Sequence, residues 1–483
     1  MKKLSIVLFS LILVASILVT PTLARDMVDP DIPDSWYEAP ETASEVGIDS
    51  FDQAPMLDER VKNGELPAVD KRLPVDPPTI EPLNEIGEYG GTAVLFGQGL
   101  SYWSDLLWFD LPLTLGRVSP DGKEMLPLFV KNWKFSDNAT KLTINLRPGI
   151  KWSDGHPFTA EDYMYWWEYV AHNETLNPVP PEEWKPVPIV NMTSKDKYTV
   201  TIHYGKPNPL QSNFNFQHSM GLSDWRNLIM PAHYMKKFHP DFAEKEKLDS
   251  MVKEAGLDRW NELYDRVRWD SPTHPEYKYV RPTIRPYLPV ERSETTLVLE
   301  RNPYYPFVDT AGNQLPYIDK IRLNVANNEE MVATKAVTGE STMTAGTKTS
   351  DIPLYKRNEE KENYSTKIFN VAYGVSVGIQ PNLTHKNPAL REIFQDVRFR
   401  RALSFAIDRE KINNKVYFGQ ATPRQVSPLP SSKYYKEEYA KSYIDFNPEK
   451  ARQLLDEMGM KDVNGDGYRE RPDGEKFNPT YIY

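Results

Sequence analysis

A strand, two glycine turns and a capped helix follow one another closely in the sequence, and this run restricts the fold more than any other feature. Lys141–Leu146 alternates polar and apolar side chains, which is typical of a strand with one buried face. Pro148 and Asp154 each precede a glycine, and such dipeptides form tight turns. Thr159 stands where a helix N-cap is expected, and Asp162 supplies the acidic side chain of a capping box. The chain is therefore expected to pack strands against helices.

The same two patterns recur along the chain, so the predicted fold class is α/β. Further strands are expected at Gly90–Phe96, Tyr198–Tyr204 and Thr296–Glu300. Helices are expected at Glu161–His172, Asp224–Lys237, Asp241–Glu254, Glu329–Val337, Asp396–Ile407 and Pro448–Met458. Because 483 residues are too many for one hydrophobic core, the chain is expected to form two or three domains.

The first residues, 1–24, have the pattern of a secretory signal peptide. Two lysines precede an apolar run, Leu4–Val19, which is shorter than the ~20 residues that span a bilayer. Pro21 follows this run, and Ala24 marks the expected cleavage position. The absence of cysteine excludes a disulfide framework, a thiolate metal site and the lipid-modified cysteine of a bacterial lipoprotein. We therefore expect an exported, periplasmic protein without a lipid anchor.

Charge and motif content argue against several classes of function. Asp and Glu outnumber Lys and Arg by 68 to 58, which gives a formal net charge of -10, and no basic stripe of the kind that binds nucleic acid is present. The sequence contains neither a His-Glu-x-x-His zinc helix nor a phosphate-binding loop. Its 8 histidines are scattered, so no histidine metal site is expected. We predict a protein that is not an enzyme, uses no cofactor or metal, and binds no nucleic acid.

An N-terminal arm rich in Pro, Asp and Glu is predicted at residues 25–86. Met56–Gly64 has helical character and ends in a glycine. Leu73–Pro82 is interrupted by prolines and is expected to be extended. We expect this arm to wrap over the following lobe rather than to fold alone.

Several segments occur in an order that resembles one protein family. The segment Leu146–Asp162 reads LRPGIKWSDGHPFTAED and closely resembles the signature of family 5 extracellular solute-binding proteins, the peptide, nickel and oligosaccharide receptors of ABC importers. Further similar segments are Val61–Pro74, Leu299–Tyr305, Leu315–Lys320, Asp396–Arg409 and Asn447–Gly459. The resemblance extends from about Leu57 to the last residue.

The resemblance implies a two-lobe clamshell of the type II periplasmic-binding-protein fold. It places the first lobe at residues 87–325, with an extra inserted subdomain at about residues 131–195, and the second lobe at residues 326–483. Family members usually continue well beyond the segment that ends this sequence, so the second lobe is expected to be C-terminally truncated. The signature segment is interpreted as scaffold, and Asp154 and Asp162 are not placed in the ligand site.

The resemblance also implies a receptor that captures a small ligand by lobe closure and delivers it to ABC permease subunits in the membrane. We expect this receptor to be a monomer. An oligopeptide is the first expectation for the ligand, and an oligosaccharide is the alternative within the same family. A third interpretation, from another class, is a non-transport periplasmic sensor or chaperone-like binder.

Candidate ligand-binding residues come mainly from the first lobe. All 11 tryptophans lie between Trp36 and Trp269, so this lobe must supply most of any aromatic platform for a sugar. The candidates either follow the first lobe strand, begin a predicted helix, or lie where the family brings the second lobe toward the cleft: Gln98, Tyr102, Trp103, Trp108, Trp225 and Asn382. The alternative for each tryptophan is an ordinary core residue, and the alternative for the asparagine is a turn.

The loop Asp462–Asp473 begins like a calcium-binding loop, with acidic or amide side chains at alternate positions and Gly467 at the sixth. Its twelfth position is Asp473 rather than the glutamate that such loops use. A tight acidic turn is therefore predicted here, with bound calcium as the alternative.

Overall fold

The structure, a computed structural model, divides the chain into two compact units. It describes residues 32–99, 116–120, 124–178, 189–208, 229–268, 281–344, 348, 351–367, 378–419, 421–428, 430, 432 and 434–480. Unit 1 comprises the chain up to Thr347 together with Asn358–Tyr364, and unit 2 comprises Lys348–Arg357 and Ser365–Tyr483. The domain boundaries expected from the sequence stay a prediction.

Strands and helices are mixed, as the sequence predicts. The strands of the described residues are β1 (Thr79–Ile80), β2 (Gly90–Gly97), β3 (Gly116–Val118), β4 (Met125–Pro127), β5 (Val130–Phe135), β6 (Lys141–Leu146), β7 (Ile189–Asp196), β8 (Thr199–Tyr204), β9 (Tyr287–Arg292), β10 (Thr296–Arg301), β11 (Val308–Asp309) and β12 (Ile318–Val325). The helices are α1 (Asp58–Lys62), α2 (Val69–Arg72), α3 (Ala160–Tyr165), α4 (Ala232–Met235), α5 (Lys245–Glu254), α6 (Trp260–Arg268), α7 (Glu329–Val337), α8 (Ile352–Glu362), α9 (Pro388–Gln395), α10 (Val397–Ala406), α11 (Arg409–Val416), α12 (Glu437–Ala440) and α13 (Pro448–Glu457).

Two four-stranded sheets organise unit 1. In the first, with strand order β2-β12-β10-β9, β12 runs parallel to β2 and antiparallel to β10. The second, with order β5-β6-β8-β7, is antiparallel throughout. Its strands lie between Val130 and Tyr204 and so overlap, but also extend beyond, the inserted subdomain predicted at about residues 131–195.

The second sheet and its neighbouring helices enclose the largest apolar cluster of the described residues. Along β6 the side chains of Leu142, Ile144 and Leu146 alternate with exposed or half-buried ones, which is the pattern of a strand with one buried face. Trp152 packs edge-on against Phe158 in the same cluster, and both are fully buried. The signature segment therefore supplies core side chains.

The N-terminal arm is bound to the rest of unit 1 by backbone pairing. Its strand β1 pairs in parallel with β11. Further along, the amide of Asp52 donates to the Gly312 carbonyl at 3.1 Å, and the amide of Gln314 donates to the Asp52 carbonyl at 2.9 Å. A proline-rich segment can make such pairs because only its proline positions lack an N–H.

Helix boundaries differ from the sequence predictions where local chemistry interrupts the pattern. The helix predicted at Glu161–His172 is α-helical only to Tyr165 and continues as a π-helix over Trp166–Ala171. Within the described part of the segment predicted at Asp224–Lys237, the helix begins after Pro231, whose ring lacks a backbone donor. By contrast, α7 has the predicted bounds.

Unit 2 contains helices and no sheet strand among its described residues. Helices α10 and α13 pack together through Ala402, Ala451 and Leu454. A second small cluster surrounds Phe394 and Phe399. In neither unit does the described chain form a helix with both the length and the apolar character needed to cross a membrane.

Candidate functional site

Gln98 directly follows the carboxyl end of β2, beside the carboxyl end of the parallel strand β12. Gly97 and Val325 are register partners, so the two strands end at the same level. The side chain of Gln98 is exposed. In open α/β sheets, ligands bind beyond the carboxyl ends of the strands, so Gln98 lies at an edge suited to ligand contact.

The structure adds Asn327 to the same edge, a residue that the sequence reasoning missed. The amide of Ala326 donates to the Gly97 carbonyl at 2.7 Å, which fixes the chain leaving β12 against the end of β2. Asn327 follows and is exposed, while Asn328 caps α7 by accepting from the Met331 amide at 2.8 Å. An Asn-Asn pair between a strand pattern and a helix pattern could have indicated this position from the sequence.

A neighbouring segment holds β2 in place along its other edge. The amide of Val94 donates to the Thr342 hydroxyl at 2.9 Å, and the amide of Thr342 donates to the Val94 carbonyl at 2.8 Å. Near the end of the strand, the ammonium of Lys335 lies 5.6 Å from the ring centroid of Phe96 and pairs with Glu340 at 2.5 Å. Gln98 therefore follows a strand that is hydrogen-bonded along both edges, to β12 on one side and to Thr342 on the other.

Of the other candidate ligand-binding residues, the structure describes only Asn382. Tyr102, Trp103, Trp108 and Trp225 lie outside the described residues. Asn382 belongs to unit 2 and is exposed, and its carboxamide oxygen accepts from both the amide and the hydroxyl of Thr384 at 3.0 Å. These contacts are typical of the turn that is the alternative for this residue. The ligand-site assignments stay predictions.

The signature segment has a buried carboxyl at its centre. Asp162 accepts from the amide of Thr159 at 2.9 Å, from the amide of Ala232 at 2.9 Å and from the indole N–H of Trp152 at 3.2 Å. Burial raises the pKa of Asp162 to about 7, although these three donors favour the ionised form. Because all three donors belong to the signature segment or to α4, the carboxyl of Asp162 connects the turn and α3 to α4.

Two histidines stack beside this carboxyl. The rings of His156 and His233 lie 3.8 Å apart and nearly parallel, and Nε2 of His233 lies 2.7 Å from a carboxylate oxygen of Asp154. Burial, followed by the charge of His233, lowers the pKa of His156. The stacked pair connects the glycine turn to α4 and has no third carboxylate or imidazole close enough to form a metal site among the described residues.

The acidic loop brings together three carboxylates, which stand at the first, fifth and ninth positions of the calcium-loop pattern. Oxygens of Asp462, Asp466 and Glu470 lie within 4.8 Å of one another. Asp473, at the twelfth position, instead lies 3.0 Å from Nε of Arg471. Both carboxylate oxygens of Asp462 accept backbone amides, those of Gly465 and Gly467, as in a tight turn. The turn interpretation stays a prediction.

One motif match was overlooked by the sequence reasoning. Gly374, Ser376 and Gly378 have the Gly-x-Ser-x-Gly spacing of a hydrolase nucleophile elbow. Residues 368–377 lie outside the described part of the chain, so the structure does not provide the strand, turn and helix that such an elbow requires. The motif alone therefore assigns no activity.

Comparison with known proteins identifies the family. Residues 124–483 match the family described as bacterial extracellular solute-binding proteins, family 5 Middle. This match covers most of the sequence, including all of unit 2 and the signature segment. The family consists of binding proteins rather than enzymes.

Individual relatives include binders of two ligand classes. The periplasmic alpha-galactoside-binding protein of Rhizobium meliloti is 27% identical over 446 residues, which are 86% of this chain and 60% of that protein. A solved oligopeptide-binding protein OppA is 33% identical, with a TM-score of 0.66 over 90% of this chain and 68% of the other. The solved binding protein MelB of Agrobacterium fabrum, in complex with stachyose, has a TM-score of 0.67 at 23% identity over 89% and 65% of the two chains.

These comparisons confirm the fold class predicted from the sequence, since the structural neighbours have the type II periplasmic-binding-protein fold. The chain spans about 60% of the length of the curated alpha-galactoside-binding relative. The chain belongs to the bacterial extracellular solute-binding proteins of family 5.

Proposed function

We propose that the chain is an extracytoplasmic receptor that captures an oligopeptide and delivers it to an ABC importer. The observation that carries this proposal is the 33% identity with a solved oligopeptide-binding protein over 90% of the chain. Several curated relatives of between 60% and 76% coverage of this chain are also oligopeptide-binding proteins. Peptide transport is therefore the function with the widest support among the relatives.

In the proposed mechanism the two lobes close on the ligand, and the closed form is recognised by the permease. Ligand binding shifts the population toward the closed form because the ligand has the higher affinity for it. A bound peptide is held largely through its main-chain groups, which explains how one receptor can accept many sequences. Gln98 and Asn327, with their amide donors and acceptors, are suited to such contacts.

The proposed function requires that the protein be exported across the cytoplasmic membrane. The N-terminal lysines, the apolar run and the small residues before Arg25 are the features that support secretion through a cleavable signal peptide. The relatives named above include periplasmic binding proteins of other bacteria. A monomeric, untethered periplasmic receptor is the simplest form consistent with these features.

An oligosaccharide is the second candidate ligand. It is favoured by the alpha-galactoside-binding relative, which matches 86% of the chain. Sugar receptors commonly use aromatic platforms, and the concentration of all 11 tryptophans between Trp36 and Trp269 would place such a platform on the first lobe.

Native mass spectrometry of the protein purified from its periplasm under non-denaturing conditions tests the two candidates. A heterogeneous set of co-purified peptides, absent after denaturation and refolding, is the expected result. A co-purified glycan of defined mass would overturn the peptide proposal in favour of the second candidate. If neither ligand co-purifies and the protein binds neither added peptides nor added oligosaccharides, both candidates are rejected.

A further inference from the structure

Arg72, the last residue of α2 in the N-terminal arm, is fully buried. Its Nη2 donates to Oε1 of Gln53 at 2.6 Å and to Oε1 of Gln314 at 3.3 Å. Its Nε and Nη1 are also buried and find no hydrogen-bond acceptor among the described residues. A buried guanidinium with two unused donors is costly, because these groups gave up hydrogen bonds to water.

A second arginine, Arg301, also has buried donors without an acceptor among the described residues, and it lies close enough for its charge to lower the pKa of Arg72. Arg301 ends β10 and is 3% exposed. Its Nη1 lies 3.6 Å from a carboxylate oxygen of Asp319, which is an ion pair but is too long for a hydrogen bond. Both Nη1 and Nη2 of Arg301 lack an acceptor within the part of the chain that the structure describes. Tyr89 covers one face of this guanidinium, at 5.0 Å from its ring centroid.

The charges around Arg72 do not balance. Burial, together with the charges of Arg301 and Arg60, lowers the pKa of Arg72 to about 10. The groups that raise it are the hydroxyls of Tyr304 and Tyr89, and no carboxylate is among them. With a pKa of about 10, Arg72 remains protonated at neutral pH, so its positive charge stays buried without a negative partner.

The nearby charged groups do not neutralise the positive charge of Arg72. Asp309 is a buried carboxylate, but it accepts from the hydroxyl of Tyr317 at 2.7 Å and from Asn313 Nδ2 at 2.8 Å. The ammonium of Lys151 adds a further cation and donates to the carbonyls of Arg72 at 3.3 Å and Leu73 at 3.2 Å. The arm is therefore attached to the lobe through a buried region with an excess of positive charge.

We propose that Arg72 and Arg301 hold a small monovalent anion of the halide class, which locks the N-terminal arm onto the rest of unit 1. The unused guanidinium donors supply its hydrogen bonds, and the anion supplies the missing negative charge. A halide suits a region in which Arg72 is wholly inaccessible to solvent, whereas phosphate or a peptide carboxylate would need more space and more donors. This site is separate from the ligand-binding edge at Gln98 and does not depend on which ligand the receptor transports.

Anomalous diffraction from crystals of the 483-residue chain grown with bromide in place of chloride tests the proposal directly. The expected result is an anomalous peak in contact with the guanidinium nitrogens of Arg72 and Arg301. Ordered water at this position, without anomalous signal, would overturn the proposal. This measurement needs no substitution, so it is decisive even where a variant fails to fold.

A solution measurement uses the tryptophans of unit 1. We expect the melting temperature followed by tryptophan fluorescence to rise by a few degrees when methanesulfonate is replaced by chloride at constant ionic strength, because a ligand of the folded state stabilises it. Arg72→Met should abolish this rise, whereas Arg322→Met, at an exposed position of β12 in the same unit, should retain it. An equal chloride effect in both variants would contradict the proposed site.

Discussion

Unit 1 and unit 2 bury their apolar side chains to different depths. In unit 1, Trp152 and Phe158 are completely inaccessible and belong to one continuous cluster around a four-stranded sheet. In unit 2, the described helices share smaller clusters in which Phe394 and Leu454 remain 8% exposed, and Phe418, which belongs to neither cluster, is 56% exposed. Because apolar burial supplies most of the stabilisation of a fold, unit 1 is expected to be the more stable of the two.

The distribution of tryptophan makes this comparison measurable. All 11 tryptophans lie between Trp36 and Trp269, and therefore in unit 1. Tryptophan fluorescence thus follows unfolding of unit 1, while hydrogen exchange of the helix amides follows unit 2. A substitution in one unit can be compared with a matched substitution in the other by using these two signals.

The largest effect is expected from truncating the core of unit 1. Trp152→Ala should lower the free energy of unfolding of unit 1 by about 3–5 kcal/mol, because it leaves a large cavity. Urea unfolding followed by the remaining tryptophans measures this loss. As a control, Leu454→Ala removes a core side chain of unit 2 and should leave the tryptophan-detected midpoint unchanged. A shift of similar size in both variants would show that the units unfold together.

A pH effect is expected from the buried carboxyl of unit 1. The pKa of Asp162 is about 7 in the folded state against 3.8 for an ordinary aspartate, so the folded state binds the proton more tightly. The resulting stabilisation is complete below pH 3.8 and is lost as the pH rises to about 7, at roughly 1.4 kcal/mol for each pKa unit.

The measurement for this effect is the tryptophan-detected unfolding free energy between pH 4 and 8, compared with Asp162→Asn. The wild-type value should fall relative to the variant as the pH rises. Asp456→Asn in unit 2 is the control: its carboxyl, whose pKa is lowered by the hydrogen bond from Arg469, lies outside unit 1, so its tryptophan-detected profile should match that of the wild type. Parallel profiles for the wild type and Asp162→Asn would contradict the assigned burial effect.

A smaller effect is expected from helix caps. The Thr159 hydroxyl accepts from the Glu161 amide at 3.3 Å, and the Asp408 carboxylate accepts from the Lys411 amide at 2.9 Å. Replacing either residue with alanine should cost about 1 kcal/mol. Only Thr159→Ala should shift the tryptophan signal, whereas Asp408→Ala should accelerate exchange of the α11 amides. The reverse pattern would invalidate the assignment of the two signals.

Much of the local structure could be predicted from the sequence because it depends on neighbouring residues. The capping box at Thr159, the alternation along β6 and the bounds of α7 all follow from short-range patterns. The π-helix over Trp166–Ala171 could not be predicted in this way, since its aromatic residues are compatible with an ordinary helical period.

Contacts between residues far apart in the chain could not be predicted from the sequence, for a different reason. The pairing of β1 with β11 joins residues more than two hundred positions apart, and nothing in a proline-rich arm specifies that partner. The buried side chain of Arg72 is equally unexpected, because arginine is normally exposed unless it is paired. The candidate site was predicted only in part: Gln98 lies at a suitable edge, Asn327 was missed, and the tryptophan candidates stay predictions.

Isothermal titration calorimetry of the purified protein, after removal of co-purified ligand by denaturation and refolding, tests the proposed function most directly. The protein is titrated with a defined mixture of tetra- and pentapeptides and, separately, with an alpha-galactoside trisaccharide. We predict saturable heat with the peptides, weakened by Gln98→Ala, and no heat with the trisaccharide. Saturable binding of the trisaccharide without binding of the peptides would contradict the proposal.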